Sequence, residues 1–150
     1  DAGPVGARAL MSLRVEKGYG SWSREYSPEY WPQEVGLAGL IKLDKDFLHK
    51  EAYLAIKDNA PRENICIVEI LSPDNADATG GEPIFDKSGA GVGRVTSGSY
   101  GYGVNKSLAL CYLKNVTAGD AVDVMILGKP HQAVVLPEAP FDPKGEKLRA

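Results

Sequence analysis

The sequence predicts an α+β protein in which a helical first third packs on a remainder of six short antiparallel strands. Three observations carry that expectation. Apolar residues recur at three-to-four-residue spacing before position 58, the period drops to two with many β-branched residues after Pro61, and six such runs fall within the next ~75 residues. Six strands suit a small antiparallel barrel or a sandwich, and the residues alone leave both open.

Taken in order, the first element is a short amphipathic helix in which Leu10, Met11, Leu13 and Val15 recur at helical spacing, ending near Gly18. A polar, aromatic loop follows over 19–32, broken by Ser27-Pro28 and Trp31-Pro32, because the residue before proline is pushed out of the helical region. Residues 33–43, mostly apolar, predict a buried connector, a short helix passing into a strand. Asp46 fits an N-cap for a second helix over 46–57, with Phe47, Leu48, Tyr53, Leu54 and Ile56 facing inward. Strands are expected over 65–71, 83–85, 93–96, 107–112, 122–127 and 132–136, the last two joined by a turn at Gly128-Lys129-Pro130-His131. The Asp-, Gly- and Asn-rich stretch 73–82 predicts a surface loop.

Composition narrows the function. The 150 residues include 17 Lys plus Arg against 20 Asp plus Glu, a formal charge of -3, with 43% hydrophobic residues and two cysteines. That is globular, neither disordered nor a disulfide scaffold. Mild acidity offers no field for nucleic acid, and no run approaches the ~20 apolar residues that span a bilayer, so neither nucleic acid nor membrane is an expected partner. The N-terminus lacks the basic, apolar and small-residue order of a signal peptide. Cys66 and Cys111 lie within apolar strands and are expected as buried small hydrophobes, and two histidines without a CxxC leave no zinc set.

Few residues carry chemistry. The run Gly91-Val92-Gly93-Arg94-Val95-Thr96-Ser97-Gly98 lies between strands instead of opening a helix, so it is no dinucleotide fingerprint. The run Gly98-Ser99-Tyr100-Gly101-Tyr102-Gly103 predicts a hairpin whose glycines supply positive φ. Ser12, His49 and an aspartate can be written as a triad, but their spacing gives it no support, and both histidines read as solvated or capped. Glu16 stands out because it ends a helix just before Tyr19, Trp22, Tyr26, Tyr30 and Trp31. A carboxylate beside aromatic faces can bind a flat heterocycle, accepting two N–H bonds while the ring stacks. The competing reading is a solvent-exposed pairing with Lys17 or Arg14.

The run from Arg8 through Leu10-Met11-Ser12-Leu13-Arg14-Val15-Glu16-Lys17-Gly18-Tyr19, with Trp22, resembles the signature before the folate pocket in the aminomethyltransferase family. This family includes the glycine cleavage T-protein and the C-terminal part of dimethylglycine and sarcosine dehydrogenases. The resemblance continues through Pro32-Gln33-Glu34-Val35-Gly36-Leu37, Ile41-Lys42-Leu43-Asp44-Lys45, Asp46-Phe47 and Lys50-Glu51-Ala52. It resumes at 93–102 and Lys106-Ser107-Leu108-Ala109 and closes on Pro140-Phe141-Asp142-Pro143-Lys144. The Glu-Lys pair with Trp22, the Ile-Lys-Leu-x-Lys run and the final Asp-Pro look closer to the flavin-dependent dehydrogenases than to the free-standing T-protein.

The resemblance implies that 1–62 form the C-terminal part of a folate-binding domain and 63–150 a six-stranded antiparallel β-barrel domain. It implies tetrahydrofolate-dependent one-carbon transfer by a larger parent, with FAD bound in the parent only and not by this segment. Glu16 matches the glutamate that pairs with the pterin ring, Trp22 an aromatic position near the pocket, and Lys45 a basic position facing the folate carboxylates. The acidic residue that assists transfer lies N-terminal to this segment, so no catalytic residue is assigned here and the isolated chain is expected to be inactive. The expected partners are folate and the N-terminal remainder of the parent, in the cytoplasm of a bacterium or the mitochondrial matrix of a eukaryote. A free-standing aminomethyltransferase or folate-dependent demethylase, or a regulatory relative without chemistry, are the alternatives. His49 stands where the family usually has glycine, so the helix start there is expected to differ.

Overall fold

A computed structural model describes residues 3–71 and 76–150. The strands are β1 (Asn64–Ile70), β2 (Pro83–Phe85), β3 (Gly91–Gly101), β4 (Lys106–Leu113), β5 (Ala121–Ile126) and β6 (Lys129–Val135). They form a closed barrel in the order β1-β4-β3-β2-β5-β6, every pairing antiparallel, which settles barrel over sandwich. Closure removes the unpaired edges at which an open sheet would associate with other chains.

The barrel interior collects alternate residues of each strand, among them Val68, Ile70, Ile84, Val95, Ala109, Cys111, Val124 and Val135. Strand β4 is buried on both faces. Ala109, Cys111 and Leu113 point inward, while Leu108 and Leu110 join Val15 of α1 (Ala7–Glu16) and Ile67 in a second cluster outside the barrel. Tyr112 faces out as well, stacking on Tyr30 with ring centroids 3.9 Å apart and donating its hydroxyl to the Glu25 carbonyl at 2.6 Å. Tyr112→Phe is expected to cost about 1 kcal/mol, the ordinary net worth of one hydrogen bond, in urea unfolding.

The first 62 residues are less helical than expected. Besides α1 they hold a 3-10 turn (Ala38–Leu40) and α2 (Lys50–Ile56). The stretch expected to pass from helix to strand over 33–43 forms turns instead, because buried Glu34 and Gln33 tie it down through side-chain hydrogen bonds: Glu34 accepts from the Trp31 N–H at 2.8 Å and Gln33 donates to the Ile56 carbonyl at 3.0 Å. Asp46 is not the cap of α2. That position is His49, in the left-handed region at φ 64, and no side chain caps the helix. Nor does α2 bury the residues expected to face inward, since Leu48 is 83% exposed and Phe47 and Leu54 are exposed too. Left-handed backbone costs a β-carbon-bearing residue about 1–2 kcal/mol, a strain that glycine would not carry. His49→Gly is expected to raise stability in urea unfolding by up to about 1 kcal/mol after glycine's larger chain entropy is subtracted.

Three smaller expectations also change. The turn between β5 and β6 is Leu127-Gly128, with φ 49 and 78, so Lys129, Pro130 and His131 belong to the strand. His131 is therefore buried, and its Nδ1 has no hydrogen-bond partner among the described residues. Positions 73–75 of the expected loop over 73–82 lie outside the described residues, and beyond them Ala78 inserts into the barrel core. The hairpin between β3 and β4 forms, but positive φ falls on Asn105, and Gly98, Gly101 and Gly103 are needed for close approach instead.

Candidate functional site

Helix α1 has neither a capping side chain nor an acid in its first turn, so packing on β3 and β4 holds it. Val15 seats it on the barrel at 1% exposure and brings the neighbouring Glu16, also 1% exposed, against the β3–β4 hairpin. Glu16 Oε1 accepts a hydrogen bond from the Gly103 N–H at 3.0 Å, and Oε2 has no hydrogen-bond partner among the described residues. The side chain is one wall of a cavity of about 400 Å³ lined by Arg8, Ser12, Asp77, Tyr100 and Tyr102. On its other side it meets a larger, mostly apolar cleft with Leu13, Tyr19 and Phe141.

This placement overturns the pairing of Glu16 with Lys17 or Arg14 in solvent. Lys17 is taken by Asp142 at 3.0 Å and Arg14 by the buried Glu25 at 3.1 Å. It also changes which aromatic rings stand near the acid. Tyr100 and Tyr102, edge to face at 5.0 Å, line its cavity, and of the expected loop only Tyr19 shares a cleft with it.

The other two predicted site residues lie elsewhere. Trp22 is 82% exposed and bridges to Tyr26 in the loop. Lys45 is exposed and lines a separate open cleft with Pro32, Ile41, Phe47 and His49. The structure therefore does not bring Glu16, Trp22 and Lys45 into one cavity. Ser12 belongs to the Glu16 site and His49 to the Lys45 cleft, which separates the paper triad.

Two buried carboxylates went unnoticed in the sequence. Glu25 accepts from Ser97 Oγ at 2.6 Å and the Ser21 N–H at 2.7 Å, and Glu34 holds the Arg62 guanidinium fork at 2.7 and 2.8 Å. Desolvation pushes the Glu25 carboxyl up, but the hydrogen bonds it accepts, that from Ser97 foremost, together with the Arg14 charge outweigh it and the group sits low. Both tie the loop after α1 to the rest of the fold, Glu25 to α1 and β3, Glu34 to the segment entering β1. Cys66 and Cys111 are free thiols directly opposed across β1 and β4, Cys111 buried and Cys66 partly so, and burial raises both. Among the described residues no group of three His, Cys, Asp or Glu could hold a metal, and no helix is long and apolar enough to cross a membrane.

A closed six-stranded barrel carrying a helix-borne acid against its β3–β4 hairpin defines the class, a small antiparallel β-barrel with a helix packed on its wall. Residues 64–142 match the glycine cleavage T-protein C-terminal barrel domain, and the chain belongs to that family. It is 38% identical over 141 residues to the mitochondrial dimethylglycine dehydrogenase of Mus musculus, covering 91% of this chain and 16% of that protein. To an aminomethyltransferase of Thermotoga petrophila it is 33% identical over 142 residues, covering 94% of this chain and 38% of the relative. The crystal structure of the glycine cleavage system aminomethyltransferase T from Bartonella henselae superposes with a TM-score of 0.79 at 24% identity, over 89% of this chain and 38% of that one, and so shares its fold. The chain thus spans between about a sixth and two fifths of the length of these relatives.

Proposed function

We propose that the chain is the C-terminal segment of a tetrahydrofolate-dependent one-carbon-transfer enzyme, a FAD-linked demethylating dehydrogenase of the dimethylglycine or sarcosine type. In this reading residues 1–62 complete the folate-binding domain and 63–150 form its barrel. The observation that carries it is the state of Glu16. A carboxylate at a helix C-terminus opposes the helix dipole, a cost of roughly 0.3–1 kcal/mol, and its Oε2 accepts no hydrogen bond among the described residues. A side chain that breaks local rules in a cavity is best explained by a ligand that supplies the missing donors. The pterin edge does so with adjacent N–H groups, and Tyr100 and Tyr102 offer it aromatic walls.

Bound tetrahydrofolate would accept the one-carbon unit. This chain's part is to hold and orient it: Glu16 fixes the ring edge, and Trp22 and Lys45 are secondary contacts that need the missing segments to reach it. In this reading the flavin is bound by another part of the parent; in this chain the run Gly91 to Gly98 is part of strand β3. The mitochondrial address of the mouse relative supports a mitochondrial location for a eukaryotic parent.

In the full-length polypeptide, Glu16→Ala is expected to weaken tetrahydrofolate by about 1.5–3 kcal/mol in calorimetry, the range for a hydrogen bond to a charged group. Wild-type affinity in that variant would remove the reading. The isolated chain should bind folate poorly, because half a pocket cannot preorganise its contacts. The identity to the Thermotoga aminomethyltransferase favours a second reading, a free-standing aminomethyltransferase without flavin. Flavin absorbance of the purified full-length protein separates the two.

A further inference from the structure

We infer that the groove between α1 and the C-terminal tail is the seat of an apolar face of the parent's own N-terminal remainder; this rests on the reading of the chain as the C-terminal segment of a longer polypeptide. Helix α1 carries apolar residues on two opposite sides. Met11 and Val15 turn toward the barrel, while Leu10 and Leu13, one helical turn apart on the far side, are 60% and 58% exposed. Apolar side chains on both faces mark a helix packed between two layers. A helix of ten residues without a capping side chain also draws little stability from its own hydrogen bonds, so packing has to hold it, and here one face has no partner.

The groove is already built. Its other wall is the tail: the Phe141 N–H donates to the Glu16 carbonyl at 3.1 Å, Asp142 takes Lys17 at 3.0 Å, and the Lys147 ammonium lies 4.9 Å from the centroid of the Phe141 ring. These contacts set Phe141 and the exposed Leu148 beside Leu10, Leu13 and Tyr19 around a cleft of about 610 Å³. Its basic groups Lys17 and Arg14 are taken by Asp142 and Glu25. The cleft therefore offers a small ligand few convergent polar groups to orient it, and offers protein a continuous apolar surface.

The occupant follows from where the core is missing. Of the twenty buried hydrophobic residues described, only Val15 and Val35 lie in the first 62 residues, whereas ten of the fourteen exposed large hydrophobics lie there. A stretch so composed cannot close a core by itself and has to share one. More than half of each relative lies outside the part this chain matches, which spans 16% of the mouse dehydrogenase and 38% of the Thermotoga protein. A tethered segment meets the groove at an effective concentration near millimolar, well ahead of a second copy in micromolar solution.

The test uses the full-length polypeptide with no folate added and reads burial by alkylating single introduced cysteines with iodoacetamide, quantified peptide by peptide in mass spectra. Leu10→Cys, Leu13→Cys and Leu148→Cys are compared with Leu127→Cys, on the β5–β6 turn outside the groove and 88% exposed. The groove thiols should react at least about tenfold more slowly than the turn thiol, because reaction then waits on local opening, and the ratio should not change with protein concentration. Equal rates overturn the seat. Protection that rises with concentration assigns the groove to a second copy and overturns it as well.

Leu13→Lys is the second arm, since lysine keeps helix propensity and suits the last turn of a helix. The seat requires loss of folding, or a thermal midpoint at least about 4 °C below that of Leu127→Lys. Matching midpoints overturn it. Slow alkylation in a polypeptide that binds no tetrahydrofolate upholds the seat and removes the folate reading, and fast alkylation in one that binds it does the reverse.

Discussion

Gly93→Ala is expected to abolish cooperative folding. Gly93 lies in β3 opposite Leu113 of β4, and a Cβ there would stand 1.9 Å from the Tyr112 carbonyl oxygen and 2.9 Å from Leu113 Cδ2. The obstacle is backbone, which cannot rotate away as a side chain tip does. Relief requires β3 and β4 to part within the closed barrel, on the strand that is buried on both faces. A loss above about 4 kcal/mol is expected, a large fraction of the 5–15 kcal/mol that holds a domain of this size together. Urea unfolding followed by circular dichroism checks it. Gly91→Ala is the control: its nearest neighbour would be Phe85 Cε1 at 4.0 Å, so stability should change by less than about 1 kcal/mol. A Gly93→Ala midpoint close to wild type would show that the strands yield.

The second large effect is at Glu34. This fully buried carboxylate accepts the Arg62 Nε–H and Nη2–H and two backbone N–H groups, of Trp31 and Arg62. Glu34→Ala leaves those two backbone donors without their acceptor and frees the loop that supports β1, at an expected cost of roughly 2–4 kcal/mol. The Arg62 fork, outweighing desolvation, draws the carboxyl from its ordinary 4.5 down to about 2. A group whose folded value is depressed stabilises the protein fully above its unfolded value, and that contribution fades as pH falls from about 4.5 toward 2. Acid titration of stability should therefore be shallower in Glu34→Gln than in wild type over that window. Glu25, Glu82 and Asp142, also lowered, keep part of the acid limb in both proteins. Parallel acid limbs would show that Glu34 contributes nothing to the pH dependence.

The β half was legible because its strands obey one rule over many residues. In β5 buried and less buried positions alternate and β4 is an unbroken apolar run buried on both faces, so both strands could be placed to within a residue or two, and Pro83–Phe85 was located to the residue. The stretch 19–49 was not, because its order rests on single long-range partners. Glu34 reaches Arg62, Tyr30 stacks on Tyr112, and Glu25 reaches Ser97, none of which leaves a periodic trace. Glu16 could be picked out from its helix-end position among aromatic residues, but its real neighbours come from 87 residues further along the chain. An acid three residues after Trp31 was the one local hint of Glu34's loop-tying role, since it can reach back to a backbone N–H as in a capping motif.

The cluster of Val15, Ile67, Leu108 and Leu110 has a consequence for how such a chain can be inherited. The junction near residue 62 looks like a seam where one module ends and another begins, yet the apolar seal runs across it. A recombination that swapped only the segment after the seam would have to bring in a strand whose outward residues fit the old helix, or leave that helix with nothing to lean on. Barrel and helix are therefore expected to travel through descent as one cassette.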